Sequence, residues 1–228
     1  MRIAIISDSH GNLSALDAVL ADLDRTGPYD DVLVGGDVAY GGPFPEGCVA
    51  RIQERGYRTV RGNTEQMIDD VADAHARWVI DRLDESQLQF IRDLPVRETV
   101  QAGGVQVTLV HATPWSIYDS VRPGDGDGAF QRMLDEAGTR FVAYGHIHLQ
   151  HKRELDDGAV IAVGSLGLPF DGDQRAMYTV IELSDDGAEV EFRRLAYDVE
   201  KAIAEARASD GPNCVGFAVN LSTAQRPG

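Results

Sequence analysis

The chain opens with a short apolar run that leads directly into polar residues. Residues 3–6, Ile-Ala-Ile-Ile, have the pattern of a strand buried on both faces. Asp8 and His10 follow this run, and leucines then recur at helical spacing, at positions 13, 16, 20 and 23. Because ligands bind at the carboxyl ends of strands in open α/β sheets, this stretch predicts a βα unit that carries half of a metal site.

The same arrangement recurs along the chain. Four further apolar runs, which we interpret as strands, each end in a residue type that binds metals. The polar residues that follow the five strands are Asp8 and His10, Asp37, Asn63, His111, and His146 and His148. Any one of them could be a turn residue, a helix cap or a core histidine. These explanations do not account for the fact that each of the seven residues comes directly after a buried strand. We therefore expect the seven side chains to converge.

The converging donors are oxygen and nitrogen atoms without thiolates. Such ligands suit Mn²⁺, Zn²⁺, Fe or Ni²⁺. Seven side chains and a bridging solvent molecule are enough to hold two ions. A ligand that is shared by two ions needs two oxygen atoms, so the carboxylate of Asp37 is the predicted bridge.

The remaining patterns indicate the layout of the fold. A strand at residues 57–60 precedes a long helical region at 65–83 and a second one at 86–93. From residue 96 onward, strands alternate with turns that contain Gly and Asp, which is typical of hairpins. A βαβ start that is followed by hairpins favours two sheets packed face to face, with helices outside.

The length of 228 residues is enough for one domain with a sizeable core. Residues 198–208 form the last predicted helix, for which Asp198 is the expected N-cap. We therefore assign residues 1–208 to one domain. Residues 209–228 are weakly patterned, and we interpret them as a C-terminal tail or flap.

Acidic residues outnumber basic residues by a wide margin. The chain has 37 Asp and Glu against 21 Lys and Arg, a formal net charge of −16. This balance argues against a nucleic-acid surface and against an anionic membrane surface, because both need clustered cations. A small phosphate ester remains compatible, since a bound metal inverts the local field. No apolar run reaches membrane-spanning length and no leader precedes the first strand, which predicts a cytoplasmic protein.

The two cysteines and the two remaining histidines provide no further candidate site residues. Cys48 and Cys214 are the only cysteines, and without secretory signals we expect no disulfide between them. His75 and His151 lie outside the strand-end pattern. We therefore expect both of these imidazoles to lie at the surface.

Five blocks in this order resemble the calcineurin-like metallophosphoesterase superfamily. The blocks are Asp8-x-His10, Gly36-Asp37, Gly62-Asn63, His111 and Gly145-His146-x-His148. The resemblance extends from residue 1 to about 195. Residues 164–169, Gly-Ser-Leu-Gly-Leu-Pro, are also similar to the small single-domain bacterial and archaeal phosphodiesterase branch. The resemblance implies an α/β fold, a four-layer α/β/β/α sandwich of two mixed β-sheets flanked by helices, with a dinuclear metal site at its rim.

The resemblance also implies a role for each residue of the set. One metal would be held by Asp8, His10, Asp37 and His148, and the other by Asp37, Asn63, His111 and His146. Asp37, Asn63 and His111 are the expected catalytic residues. The implied cofactors are two divalent ions, with Mn²⁺ expected first and Fe, Zn²⁺ or Ni²⁺ as alternatives. The implied reaction is hydrolysis of a small phosphodiester by in-line attack of a metal-bridging hydroxide.

One residue departs from the family's third block, which often reads Gly-Asn-His followed by an acidic residue. This chain has Thr64 where the family has a histidine that is thought to lie near the leaving group. Threonine cannot deliver a proton at neutral pH, so the sequence predicts substrates with good leaving groups or a different proton donor. Tyr118, Asp119 and Arg122, in the loop after His111, are the candidates for that donor.

Substrate contacts are expected from Thr64, Tyr118 and Arg122. Arg122 could pair with a phosphate, and Tyr118 could stack on a base or a sugar. Trp115 either stacks in the same way or packs on the edge of the fold. Glu65 either supports a ligand imidazole or caps the helix that follows it.

Three functions stay open from the sequence. The first is a phosphodiesterase of the kind that the resemblance implies, and the second is a phosphomonoester, phosphoprotein or dinucleoside-polyphosphate phosphatase of the same superfamily. The third is a noncatalytic metal-binding scaffold for a partner protein, although such a scaffold is expected to have lost ligands and all seven are present. We expect a small phosphate-ester substrate without a nucleic-acid or membrane partner, and the oligomeric state stays open.

Overall fold

Ten strands form in the positions where the apolar runs predicted them. The computed structural model describes residues 1–185 and 187–226, and the strand and helix bounds refer to those residues. The strands are β1 (Arg2–Ile6), β2 (Asp31–Val34), β3 (Arg58–Thr59), β4 (Arg97–Ala102), β5 (Val105–Val110), β6 (Phe141–Tyr144), β7 (Gln150–Leu155), β8 (Gly158–Val163), β9 (Ala176–Ser184) and β10 (Gly187–Leu195).

Helices connect and cover these strands. They are α1 (Leu13–Thr26), α2 (Pro45–Arg55), α3 (Asn63–Met67), α4 (Ala74–Ile80), α5 (Glu85–Arg92), α6 (Asp127–Ala137), α7 (Val199–Ala208) and α8 (Cys214–Thr223). Local sequence sets several of their ends. Asn12 caps α1 through its side chain, which accepts a hydrogen bond from the Ala15 N–H, and Asp198 caps α7 as predicted. Gly56 ends α2 in the left-handed conformation that favours glycine.

Two mixed sheets of five strands form the centre of the fold. The first has the order β10-β9-β1-β2-β3, in which β1, β2 and β3 are parallel and β9 is antiparallel to β1. The second has the order β4-β5-β6-β8-β7, in which β5, β6 and β8 are parallel. In each sheet, the carboxyl ends of the parallel strands therefore lie along one edge.

Strand β1 shows how the layers are built. Ile3 and Ile5 lie in a buried cluster with Leu109 of β5, so they join the two sheets. Ala4 and Ile6, which alternate with them, lie in a second cluster with residues of α1 and α2. The predicted strand buried on both faces is confirmed, because it has a sheet on one side and helices on the other.

The opposite face of the second sheet is covered by α6. Phe130 and Met133 of this helix are fully buried in a cluster with Val142 and Val160 of β6 and β8. The layers are therefore helix, sheet, sheet and helix, and the predicted four-layer α/β/β/α sandwich is confirmed. In the described residues, no helix is both long enough and apolar enough to cross a membrane.

Two helical segments differ from the sequence prediction. The single helical region predicted at residues 65–83 is divided into α3 and α4, because Asp73 accepts a hydrogen bond from the Ala76 N–H and starts a new helix there. Within residues 209–226, where no element was predicted, α8 packs against α7. Residues 227 and 228 of the predicted tail lie outside the described residues, and the predicted domain boundary at residue 208 stays a prediction.

The two remaining histidines are less exposed than the sequence suggested. His75 is 1% exposed, so the prediction of a surface residue is wrong. Its imidazole lies between Tyr40 and Trp78, with ring centroids 4.6 and 5.1 Å away. His151 is half-buried, and its ring centroid is 5.7 Å from that of Phe130. Both cysteines are buried and free, which confirms the absence of a disulfide.

Candidate metal centre

The fold brings together the seven residues that follow the predicted strands. Asp8 and His10 follow β1, Asp37 follows β2 and Asn63 follows β3 in the first sheet. The other three histidines of the set follow strands of the second sheet, His111 after β5 and His146 and His148 after β6. Both sheets therefore contribute to one site, at the edge where their parallel strands end.

Three side chains form a first group of converging donor atoms. The Nε2 atoms of His10 and His148 are 3.1 Å apart, and His148 Nε2 is 3.3 Å from Oδ1 of Asp8. Asp8 Oδ1 is also 3.9 Å from His10 Nε2. All three residues are buried, with exposures of 0 to 7%. This is the compact arrangement of carboxylate and imidazole donors that a divalent cation requires.

A second group of donor atoms lies beside the first. Oδ1 of Asn63 is 2.9 Å from Nε2 of His111 and 2.9 Å from Nδ1 of His146. The two imidazole nitrogens are themselves 3.2 Å apart. An amide oxygen and two imidazole nitrogens are thus directed at one point, which is a second set of hard and borderline donors.

Asp37 lies between the two groups. Its Oδ1 is 3.5 Å from Nε2 of His111, and its Oδ2 is 3.7 Å from Nε2 of His10. Asp37 is only 2% exposed, so both oxygens are directed into the site rather than into water. The position of each oxygen toward a different group matches the geometry expected of a bridging carboxylate.

Backbone carbonyls orient every imidazole of the set. The outer ring nitrogens are paired as His10 Nδ1 with Tyr40 O, His111 Nδ1 with Gly35 O, His148 Nδ1 with Leu168 O, and His146 Nε2 with Tyr118 O. A carbonyl oxygen can only accept, so each of these outer nitrogens carries the proton. The inner nitrogen of each ring is left with a lone pair, which is the tautomer that binds a metal.

The charges inside the site favour a cation. Burial would raise the pKa of Asp8, but the neighbouring His148, which also forms a hydrogen bond with it, and His111 outweigh burial and hold the pKa well below its ordinary value. Burial lowers the pKa of His10 more than Asp37 raises it, so this imidazole stays neutral. Metal ligands must be deprotonated, and these two residues already have the required protonation states.

The pKa of His111 moves in the opposite direction to that of His10. Burial would lower it, but the carboxylates of Asp37 and Asp8 outweigh burial and raise it. The second group of donors therefore attracts positive charge. Together, the donor types, their protonation states and this attraction fit divalent cations.

Glu65 supports the loop that carries Asp37. It is fully buried, and its Oε2 accepts hydrogen bonds of 2.8 Å from the N–H groups of Asp37 and Gly62, while its Oε1 accepts one of 2.7 Å from Val38. Burial and the nearby Asp37 raise the pKa of Glu65 to about 7. Of the two roles considered from sequence, helix capping is confirmed, and Glu65 also fixes the backbone of Asp37.

The three predicted substrate-binding residues lie at different distances from this centre. The N–H of Thr64 donates to Oδ1 of Asp37 at 2.9 Å, so Thr64 is part of the site. Tyr118 contacts the site through its carbonyl, which accepts from His146, and its side chain is 55% exposed. The N–H of Arg122 donates to the side chain of Asp125 in the same loop. The substrate contacts of all three residues stay predictions.

Trp115 packs on the edge of the fold, which was one of its two predicted roles. The guanidinium of Arg132 lies 3.8 Å from its ring centroid, and its Nε1 donates to Asp119 at 2.8 Å. Both contacts hold the indole against the second sheet's cluster. Asp119, a candidate proton donor, is therefore engaged with Trp115.

Sequence reasoning missed one wall of the site. A cavity of about 390 Å³, which we call the α8 cavity, is lined by ten residues that include His10 and Thr64. Half of its lining comes from the segment at and just before α8, namely Pro212, Asn213, Gly216, Phe217 and Asn220. The apolar positions of α8 were the only signal in the sequence, and exposed valines at 215 and 219 obscure their spacing.

Comparison with known families gives a match over most of the chain. Residues 1–186 match the family model of the calcineurin-like phosphoesterase superfamily domain. All seven converging residues lie within this range, whereas α7 and α8 lie beyond it.

Individual relatives extend the match to nearly the full length. An uncharacterized protein of Methanocaldococcus jannaschii is 28% identical over 224 residues, which cover 88% of this chain and 89% of that protein. A crystal structure of a metallophosphoesterase from Sphaerobacter thermophilus is 26% identical, covers 98% of this chain and 99% of its own, and has a TM-score of 0.79. A hypothetical protein from Pyrococcus horikoshii has the same fold, with a TM-score of 0.86, 16% identity and 99% of each chain covered.

Proposed function

Because the chain belongs to the calcineurin-like phosphoesterase superfamily of metal-dependent phosphoester hydrolases, we propose that it binds two divalent cations and hydrolyses small phosphodiesters. The observation that carries this proposal is the position of Asp37. Each of its two oxygens faces a different group of donors, 3.5 Å from His111 and 3.7 Å from His10. If only one cation were bound, one of these two groups of donor atoms would have no ion to coordinate.

The proposed ligands divide between the two groups. Asp8, His10 and His148 would hold one cation, and Asn63, His111 and His146 would hold the other, while Asp37 would be shared. Oxygen and nitrogen donors without thiolates suit Mn²⁺, Fe, Zn²⁺ or Ni²⁺, and of these we propose Mn²⁺ first. Two such cations would supply a water of lowered pKa as nucleophile and positive charge for the phosphoryl oxygens.

The protein's own contribution is orientation. The carbonyls of Tyr40, Gly35, Leu168 and Tyr118 fix the four imidazole rings before any ion or substrate arrives. Glu65 and the N–H of Thr64 hold the backbone and one oxygen of Asp37. A site that is fixed in advance loses little free energy to reorganisation when charge develops on the phosphate.

The charge of the α8 cavity supports a diester substrate. None of the ten residues that line the cavity is Lys, Arg, Asp or Glu. A phosphodiester has an organic group on each side of a single phosphate, so one of these groups can occupy an uncharged cavity. A second phosphate would need guanidinium or ammonium partners there. The net charge of −16 also supports a small ester rather than a nucleic acid.

The experiment is a comparison of two esters with counted metal. We expect purified protein with added Mn²⁺ to hydrolyse bis-p-nitrophenyl phosphate with a higher kcat/KM than p-nitrophenyl phosphate. Asp37→Ala should abolish both activities, while Asp135→Ala, a change at an exposed site on α6, should leave them unchanged. A higher kcat/KM for the monoester would support the phosphomonoesterase alternative. If neither ester is hydrolysed although both metals are bound, the protein is a scaffold.

A further inference from the structure

The α8 cavity is continuous with the metal centre but is built largely by a different part of the chain. His10 and Thr64 belong to the centre and also line the cavity. The segment 212–220 supplies half of the lining and lies beyond residue 186, where the family match ends. The structures from Sphaerobacter thermophilus and Pyrococcus horikoshii nevertheless cover 98 and 99% of this chain, so their similarity includes this segment. The segment 212–220, which forms one wall of the cavity, therefore lies outside the part of the chain that the family model matches.

This wall is fixed at both of its ends. At the start, the side-chain amide of Asn213 donates to the Tyr40 hydroxyl at 3.1 Å. At the end, the N–H of Gly172 donates to the carbonyl of Ala224 at 2.8 Å, and Gln174 Nε2 donates to that of Ser222 at 2.9 Å. These hydrogen bonds hold the segment in a defined position, so it forms a wall of the cavity rather than a loose tail.

The wall is also connected to a metal ligand. Phe217 of α8 packs in a cluster with Phe170, and the ring of Phe170 is stacked on His148 with centroids 4.3 Å apart. The position of α8 and the orientation of His148 therefore depend on the same packing. A group bound against α8 would lie directly beside the metal centre.

The lining has the chemistry of a pocket for an uncharged organic group. Tyr40, Leu168 and Phe217 provide apolar surface, and Asn213 and Asn220 provide amides. Within the described residues, the side-chain amide of Asn220 makes no hydrogen bond, although it is half-buried. Aromatic surface with a few convergent polar groups is typical of small-molecule sites, and 390 Å³ falls in their usual range of about 300–1,000 Å³.

Gly216 controls how much room the cavity has. It lies between Asn213 and Asn220 on one face of the helix, and a Cβ at this position would meet no atom within 4 Å. Because Gly216 lines the cavity and its Cβ position is open, we expect a larger side chain there to occupy part of the cavity. Glycine is a poor helix former, so local helix stability does not explain its presence here.

We propose that the α8 cavity binds an uncharged, nucleoside-sized organic group of the phosphodiester, and that Gly216 and Asn220 determine this specificity. The inference rests on the proposed phosphodiesterase function and names its substrate class. Gly216 leaves the space for a ring system, and Asn220 supplies a hydrogen bond to it. Both residues belong to α8, which carries none of the seven converging side chains, so we expect them to act on substrate choice.

The test compares two diesters with the same leaving group. We expect the Mn²⁺-loaded protein to hydrolyse the p-nitrophenyl ester of thymidine 5′-monophosphate with a kcat/KM roughly tenfold or more above that of methyl p-nitrophenyl phosphate. Gly216→Leu and Asn220→Leu should remove most of this preference, because they should lower kcat/KM for the nucleoside ester roughly tenfold more than kcat/KM for the methyl ester. Val215→Leu, an exposed change on the same helix, is the matched control and should keep the preference.

A second readout does not depend on activity. NMR titration of the metal-free protein with thymidine should show binding that Gly216→Leu weakens roughly tenfold or more and that Val215→Leu preserves. Thermal unfolding of Gly216→Leu should be no easier than that of the wild type. Hydrolysis of neither diester would overturn the proposed function itself. Equal kcat/KM for both diesters, or equal losses on both in Gly216→Leu, would overturn only the role of the cavity.

Discussion

The converging side chains are held in backbone conformations that most residues avoid. Within the described part of the chain, six non-glycine residues have left-handed φ angles, and five of them are Asp8, His10, Asp37, His146 and His148. Each such residue costs on the order of 1–3 kcal/mol unless its surroundings impose it. Strain concentrated on these five residues indicates that the loops are shaped for the direction of the side chains rather than for stability.

The proposed division of ligands between two cations can be tested one residue at a time. Asn63→Ala removes an oxygen from one group of donors, and His148→Ala removes a nitrogen from the other. We expect each variant to retain one metal and to bind the second roughly tenfold or more weakly, because even residues behind the ligands have effects of that size. Emission spectroscopy on dialysed protein measures the count. Equal loss of both metals in each variant would contradict the division.

Glu65 offers a test of the support behind the ligands. Its carboxylate accepts three backbone hydrogen bonds, and the amide of Glu65→Gln must turn its NH₂ toward at least one of those donors. We expect the variant to lose about 1–3 kcal/mol of unfolding free energy, the cost of a buried unsatisfied polar group. Urea unfolding measures this loss. Glu85→Gln, at an exposed position in the first turn of α5, is the control and should change the stability little.

At the scale of elements, the sequence was most informative where one residue pattern had one structural consequence. Asp8, Asp37 and His111 could be found because each follows a short buried strand, and parallel strands end at a common edge. The α8 wall could not be found in the same way. Its side toward α7 is apolar, but Val215 and Val219 on the other side are also apolar, so no amphipathic period stands out.

His75 shows a second limit of sequence reasoning. A histidine within a helical stretch is typical of a surface residue, but its burial depends on elements far away in the chain. The N–H of Gly41 donates to its Nε2 at 3.2 Å, and the backbone of Asn213, 138 positions away, lies 3.3 Å from its Nδ1. This contact joins α4 to the start of α8, and no pattern of neighbouring residues in the sequence could predict it.

The burial of His75 predicts a pH dependence of stability. Burial lowers its pKa to about 4, although Asp73 opposes the shift and Arg82 adds to it. An unfolded histidine has a pKa of about 6.5, so the unfolded chain takes up a proton first as the pH falls. His75 therefore destabilises the fold progressively from about pH 6.5 down to pH 4, and has no such effect above that window.

His75→Gln removes this titration and retains a polar side chain. We expect the unfolding free energy of the wild type minus that of the variant to be smaller at pH 5 than at pH 7, by up to about 2 kcal/mol. Urea unfolding of both proteins at both pH values measures this difference. Groups that titrate equally in the two proteins cancel in the comparison. A gap that is the same at both pH values would show that His75 is not held neutral by the fold.

At the scale of the whole molecule, the candidate metal centre lies between two sheets that otherwise meet through apolar side chains and a few polar contacts, such as the ion pair of Arg58 with Glu98. Asp8, His10, Asp37 and Asn63 come from the first sheet, and the three histidines after β5 and β6 come from the second. An ion held by residues from both sheets binds only when the sheets are packed in register. Binding of such an ion would therefore be coupled to the global fold and not only to the local loops.

This coupling predicts that Mn²⁺ stabilises the protein against unfolding. Free Mn²⁺ at a hundredfold excess over its Kd should add about 2.7 kcal/mol for each independent site, measured from urea unfolding curves with and without the ion. Asp37→Asn should show a much smaller gain, because the shared carboxylate serves both groups of donors. The net charge of −16 means that any added cation also reduces self-repulsion, so KCl at matched ionic strength is the necessary control. An equal gain from Mn²⁺ and KCl, or an equal gain in the variant, would mean that the ions act on surface charge and that the two sheets are not joined by metal.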